Sequence, residues 1–172
     1  MGIVMDAPAD RAGALSRFHA GLSALEEAVS GLSDDALDAE PPGGGWTVRQ
    51  NVHHLVDGDD IWKLAIKMAI GHDDVEFALG WYQQMTQQEW ADRWAYGSRR
   101  IEASLSLLKA SREHVLQLLD STPDAWNRAV LLRQPDGQIE RVPVGVIVDM
   151  QAEHVFHHLR RIHEILEQRC GA

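Results

Sequence analysis

Nine histidines stand in this chain of 172 residues, and two short runs hold five of them. His154 and His158 are four positions apart. On a helix that spacing stacks two imidazoles on one face, close enough to share a metal ion. His53 and His54 form an adjacent pair roughly a hundred residues earlier. A third imidazole from a facing helix would complete a three-histidine site with positions open for water or substrate. Ligand type alone leaves zinc, nickel, iron and copper in play.

Helical periodicity indicates which histidines face inward. With Val48 at 0° and about 100° per residue, Val52, Leu55 and Trp62 fall at about 40°, 340° and 320°. His54, at about 240°, lies within this broad apolar arc, whereas His53, at about 140°, falls beside Asp60 on the polar side. In the later segment, with Val144 at 0°, His158 lies at about 320° within the stripe of Ile147, Val155 and Ile165, and His154 lies at its edge at about 280°. His157, at about 220°, sits near Glu164 and is expected in solvent. H-x-x-x-H also arises by chance, and an inward histidine is often a satisfied core residue. Three of them on apolar stripes, however, would each need a buried partner. His19, His72, His114 and His163 receive no role.

Three neutral imidazoles leave the charge of a divalent cation uncompensated. Water bound there is acidified from about 15.7 toward about 7, which is the physical basis for hydrolysis. The same open position could instead ionise a thiol. A metal- or ligand-binding module without chemistry is the third reading.

Four long segments must position these groups. Apolar residues recur at helical steps from about Pro8 to Leu32, from Thr47 to about Gly71, from about Ser98 to Leu119 and from about Val144 to Gln168. Thr47 and Gln50 form a capping box behind Trp46, and Pro143 fits the first turn of the last segment. Thr86 and Glu89 offer a second capping box, and a short helical piece is expected near Pro123–Trp126. Val130–Leu132 and Ile139–Val142 flank Pro135-Asp136-Gly137 as a small β-hairpin. The pattern predicts an all-α four-helix bundle with long decorated connections, built as one domain over residues 1–172.

Composition narrows the function. The formal net charge is −10, from 16 basic and 26 acidic residues, a poor match to nucleic acid. No apolar stretch approaches the roughly 20 residues of a membrane span. The N-terminal residues lack the basic start and apolar run of a secretory signal. Cys170 is the single cysteine, so no intrachain disulfide is possible, which fits a cytoplasmic protein.

The run from Trp46 to Asp57, W-T-V-R-Q-N-V-H-H-L-V-D, is followed much later by His154-x-x-His157-His158-Leu159. With Asp92-Arg93-Trp94-Ala95 and the Pro135-x-Gly137 turn between them, these motifs resemble the DinB/YfiT-like family and cover most of the chain. The resemblance implies a metal-binding four-helix bundle whose ligands are His54, His154 and His158. It implies zinc or nickel, with iron or manganese next. It implies a small-molecule substrate, a metal-dependent hydrolase reaction or a low-molecular-weight thiol cosubstrate for an S-transferase or isomerase, and a homodimer. Met68 and Met150 are the apolar positions left over for such an interface. Relatives often carry Gln or His three positions after the last ligand, where this chain has Arg161. A cation there would repel the metal unless it points to solvent or toward an anionic substrate.

The remaining candidates are second-tier. Asn51 and Gln151 are polar residues on apolar stripes, each three positions before a ligand, and could orient a histidine or contact substrate. Asp57 could serve as a base, against the default of a solvated carboxylate. Trp90 and Trp94, four apart, could wall a pocket with Trp81, or could simply pack the middle connection.

Overall fold

Local capping chemistry sets where the helices begin. The computed structural model describes residues 3–170. In chain order the elements are β1 (Ile3–Val4), α1 (Arg11–Val29), α2 (Asp34–Leu37), α3 (Val48–Gly71), β2 (Val75–Ala78), α4 (Gly80–Gln83), α5 (Gln87–Arg93), α6 (Ile101–Ser121), a 3-10 turn at Ala125–Asn127, β3 (Ala129–Arg133), β4 (Ile139–Pro143) and α7 (Val144–Cys170). The Asp10 carboxylate accepts from Gly13 N at 2.9 Å, so α1 starts three residues later than Pro8. Both halves of the Thr47 box form: Gln50 N donates to Thr47 Oγ1 and Thr47 N to Gln50 Oε1. The Thr86 box forms likewise and opens α5. The α6 helix starts at Ile101 rather than Ser98, because the preceding chain turns through a left-handed Ala95 at φ 53°. Pro143 ends β4, opposite Ala129, instead of entering α7.

Each long helix buries one stripe against two neighbours. The α1 helix packs on α7 and α6, and α3 packs on α6 and α7. Consecutive bundle helices α1 and α3 therefore lie across the diagonal, and α7 runs between them. The β3–β4 hairpin forms as expected, but in a four-stranded sheet of order β1-β4-β3-β2. The outer strands are parallel additions, β1 on β4 and β2 on β3. The sheet caps one end of the bundle. At its junction with α7 the chains approach so closely that a Cβ on Gly145 would stand 2.5 Å from Trp126 Cε2.

The apolar core comes in two parts. One, toward the sheet, gathers Phe18, Ile66, Val115 and Ile147; the other gathers Leu25, Leu55, Leu108 and Ile162. On three of the four long helices the division falls at buried polar residues: Asp59 on α3, Ser111 and Arg112 on α6, Gln151 on α7. Arg112 is the linchpin of this layer. Its Nε and Nη2 donate to Asp59 at 2.6 and 3.1 Å, its Nη1 to Phe18 O at 2.6 Å and its Nη2 to Gln151 O at 3.2 Å. One guanidinium thus ties α1, α3 and α7 together. Met68 packs half-buried against the core, and Met150 is exposed. No helix is long and apolar enough to cross a membrane.

Candidate metal centre

The capping box fixes the first turn of α3, and with it the direction of Asn51 and His54. His154 and His158 face them from α7, just beyond the Arg112 layer. His54 Nε2 and His154 Nε2 are 3.1 Å apart, and so are His158 Nε2 and His154 Nε2. All three nitrogens lie within 4.8 Å of one another. Two imidazole nitrogens bound at about 2.0–2.1 Å to one cation, at tetrahedral to octahedral angles, sit about 2.9–3.4 Å apart. The His54–His154 and His154–His158 pairs stand at that spacing and the His54–His158 pair is wider, so the donor set suits a divalent ion of that kind with a small inward turn of one ring.

The proton positions on His158 follow from its neighbours. Asn51 Nδ2 donates to Thr47 O at 2.8 Å and to Trp46 O at 3.3 Å, which turns Asn51 Oδ1 toward His158. Oδ1 can only accept, so His158 Nδ1–H donates to it at 2.7 Å. The Nε2 lone pair is thereby left free and aimed at the other two imidazoles, as a ligand requires. Burial keeps all three rings neutral. It pushes His158 down to about 2, aided by His154, His54, His157 and Arg161. It lowers His54 to about 3, with His154 adding to the effect, and His154 to about 4, with His157 and Arg112 adding.

The structure distributes the other expected residues unevenly. Asn51 joins the trio directly. Gln151 is buried three residues before His154, and among the described residues its Oε1 has no hydrogen-bond partner. The Asp57 carboxylate is held by Arg99 Nη2 at 3.0 Å and is not among the groups clustered with the imidazoles. Trp90 and Trp94 meet at a tilt at 4.7 Å, and Tyr82 stacks on Trp90 and lies tilted to Trp94, so they brace the middle connection; Trp94 also meets Tyr96 at 6.2 Å. Arg161 is exposed and donates from Nε to His157 Nε2 at 3.2 Å, and His157 is exposed as expected.

His53 corrects the periodicity argument: it is fully buried, not solvated. Its Nδ1 lies 2.9 Å from Ser104 Oγ and its Nε2 3.1 Å from Arg99 O. The polar side of α3 near its start is covered by α2 and by the entry to α6, with Arg49 likewise buried and bonded to Asp34, Asp38 and Arg99 O. Two polar residues filling a helix–helix seam look, on a wheel, like a solvated face.

Trp46 is a site residue that periodicity does not single out, because it precedes the helix. Its ring lies 4.8 Å from His54 and stacks on His158 at 6.4 Å, covering two of the three imidazoles. Its indole N–H donates to Gln88 Oε1 at 2.9 Å, which ties this cover to α5. The available signal was its place immediately before a capping box, where an apolar residue commonly folds back onto the helix.

Residues 17–162 match the family model of the DinB superfamily, a span that contains all three clustered histidines. This chain belongs to the DinB superfamily. DinB relatives include an inferred metal-dependent hydrolase of Geobacillus thermodenitrificans, 30% identical over 85% of this chain and 78% of its own length. A second inferred metal-dependent hydrolase, of Geobacillus kaustophilus, is 31% identical over 86% of this chain and 79% of its own length. Among solved structures, Bacillus subtilis YfiT, described as a metal-dependent hydrolase by inference and as an unusual four-helix bundle, superposes with a TM-score of 0.76 at 24% identity, covering 94% of this chain and 87% of YfiT. A mycothiol-dependent maleylpyruvate isomerase superposes with a TM-score of 0.65 at 18% identity, covering 88% of this chain and 60% of the isomerase. The two structural likenesses establish the fold: a DinB four-helix bundle.

Proposed function

We propose that this DinB protein is a metal-dependent hydrolase of a small-molecule substrate, its cation held by His54, His154 and His158. One observation carries the reading: three neutral imidazole nitrogens cluster, two of their three pairs at ligand spacing, and Asn51 fixes the His158 proton on the side away from them. Such a cation supplies Lewis acidity, polarising an electrophile and bringing the pKa of water from about 15.7 toward about 7. The chain's own residues do the rest. Asn51 orients one ligand, Trp46 keeps bulk water from two of the rings, and Arg112 holds the three helices in register beneath. Zinc or nickel suits an all-imidazole set better than manganese, which favours oxygen ligands. The resemblance adds a homodimer in the cytoplasm, for which exposed Met150 is an available apolar contact.

A thiol-dependent transfer or isomerisation is the second reading. It is favoured by the absence, among the described residues, of a carboxylate clustered with the trio. A thiol cosubstrate carries its own ionisable group and needs less help from a protein base. The likeness of fold to the mycothiol-dependent isomerase agrees with it.

The test is elemental analysis of tag-free protein beside His54→Ala and His158→Ala, followed by assays of the loaded wild type. One metal per chain, lost in both variants, is the expected result. Stoichiometric metal persisting in both variants would overturn the centre. Turnover of an ester or amide panel supports hydrolysis, and turnover only of a thiol with an electrophile supports the second reading.

A further inference from the structure

Next to the trio lies an open cavity of about 380 Å³. Trp46 and Asn51, which contact the ligand histidines, form one wall. The other wall is the exposed shoulder of α7, with His157, Arg160, Arg161 and Glu164. The charges there are unusual for this chain. Its net charge is −10, and Arg17, Arg49, Arg99, Arg112, Arg133 and Arg141 all hold carboxylates. Among the described residues no ion pair includes Arg160 or Arg161, and the one polar contact of Arg161 is from its Nε to His157 Nε2. Two consecutive guanidinium groups therefore line a cavity without a carboxylate partner, and only Arg161 Nε is engaged. Glu164 on the same wall reduces the local charge to that of one cation, which suits a monoanion and opposes a phosphate dianion. The indole of Trp46 opposite offers an apolar face for the body of the ligand.

We propose that this cavity is a carboxylate subsite: Arg160 and Arg161 receive the carboxylate of a small monoanionic ligand whose body lies on Trp46, with its other end directed toward the imidazoles. That the ligand is the substrate rests on the metal-centre reading above; that the cavity takes a carboxylate does not. Arg161 then acts as a specificity residue of this chain.

The experiment uses phenylacetate, its neutral isostere phenylacetamide and the dianion phenyl phosphate. Each is titrated into the metal-free full-length protein while the Trp46 indole N–H resonance is followed by NMR. Charge-assisted bonds to arginine should make phenylacetate bind about tenfold or more tightly than phenylacetamide, with phenyl phosphate weaker than phenylacetate. The Arg160→Gln/Arg161→Gln double variant, altered only at exposed side chains and checked by circular dichroism, should lose that preference. His54→Ala should keep it. Equal binding of acid and amide, no saturable shift, tighter phenyl phosphate, or a preference that survives in the double variant would each overturn the subsite. Metal content measured on the protein as purified, before the metal is stripped, reports on the centre separately, so a carboxylate preference in a protein that carries no metal as purified would sink the hydrolase reading and leave the subsite standing.

Discussion

Replacing Asn51 by Ala removes the acceptor that aims His158. The lost bond is 2.7 Å long and buried. A net hydrogen bond of this kind contributes about 0.5–1.5 kcal/mol, and a buried donor left unpaired costs about 1–3 kcal/mol. His158 would then be free to carry its proton on Nε2, where it blocks coordination. Partners of metal-bound histidines typically matter by about 10–100-fold in affinity, or about 1.4–2.7 kcal/mol, which falls inside the second of those ranges. Zinc affinity measured by competition with a chromophoric chelator should therefore drop by one to two orders of magnitude, in the sense of that estimate. Asn51 also braces the turn through Trp46 O and Thr47 O, so the loss must be separated from loosening of the helix start. Asn51→Asp does this: it keeps an acceptor for His158 Nδ1 and loses the two amide donors. It should hold zinc at least as tightly as wild type while melting lower. If Asn51→Ala binds zinc within about twofold of wild type, or if Asn51→Asp loses as much as Ala, the assignment of Asn51 as the orienting partner is wrong.

Other substitutions probe the scaffold. Asp59→Ala leaves the buried Arg112 cation without its carboxylate, which typically costs about 3–5 kcal/mol. For a chain of this size that lowers Tm by about 6–20 °C, and calorimetry showing a change under about 2 °C would contradict it. Adding Arg112→Met should recover part of the loss. Gly145→Ala forces a methyl against Trp126 and should cost about 1–3 kcal/mol in urea unfolding. Zinc at 100 times its Kd should stabilise the wild type by about 2.7 kcal/mol, and His154→Ala should abolish that increment.

The helix starts were legible because capping is local: Thr47 with Gln50, and Thr86 with Glu89, announce their helices within four residues. The hairpin was legible for the same reason, through its Pro-Asp-Gly turn. The inward direction of His158 followed from period, since it lies within a strongly apolar stripe, whereas His154 falls at the edge of that stripe and His54 in a broad arc flanked partly by alanines. What failed was whatever depends on a distant partner. His53 reads as polar and exposed until α6 is laid over it, and nothing near Arg112 in sequence tells that Asp59 and Phe18 O will receive it. The strands β1 and β2 are too short to show alternation. They pair in parallel with residues far along the chain, and that leaves no turn to recognise. Trp46 lay just outside the periodic segment, and its role depends on a histidine from α7.

The proposed ligands sit on the second and fourth rods of the bundle, a hundred positions apart. During synthesis His54 leaves the ribosome long before His158 exists. Any cation met at that stage finds one imidazole and lets go. Full affinity arises only after the hairpin has formed and α7 has been laid between α1 and α3. With this ligand set, metal capture would report that assembly has finished, and a pulse-labelled nascent chain halted before Val144 should retain none.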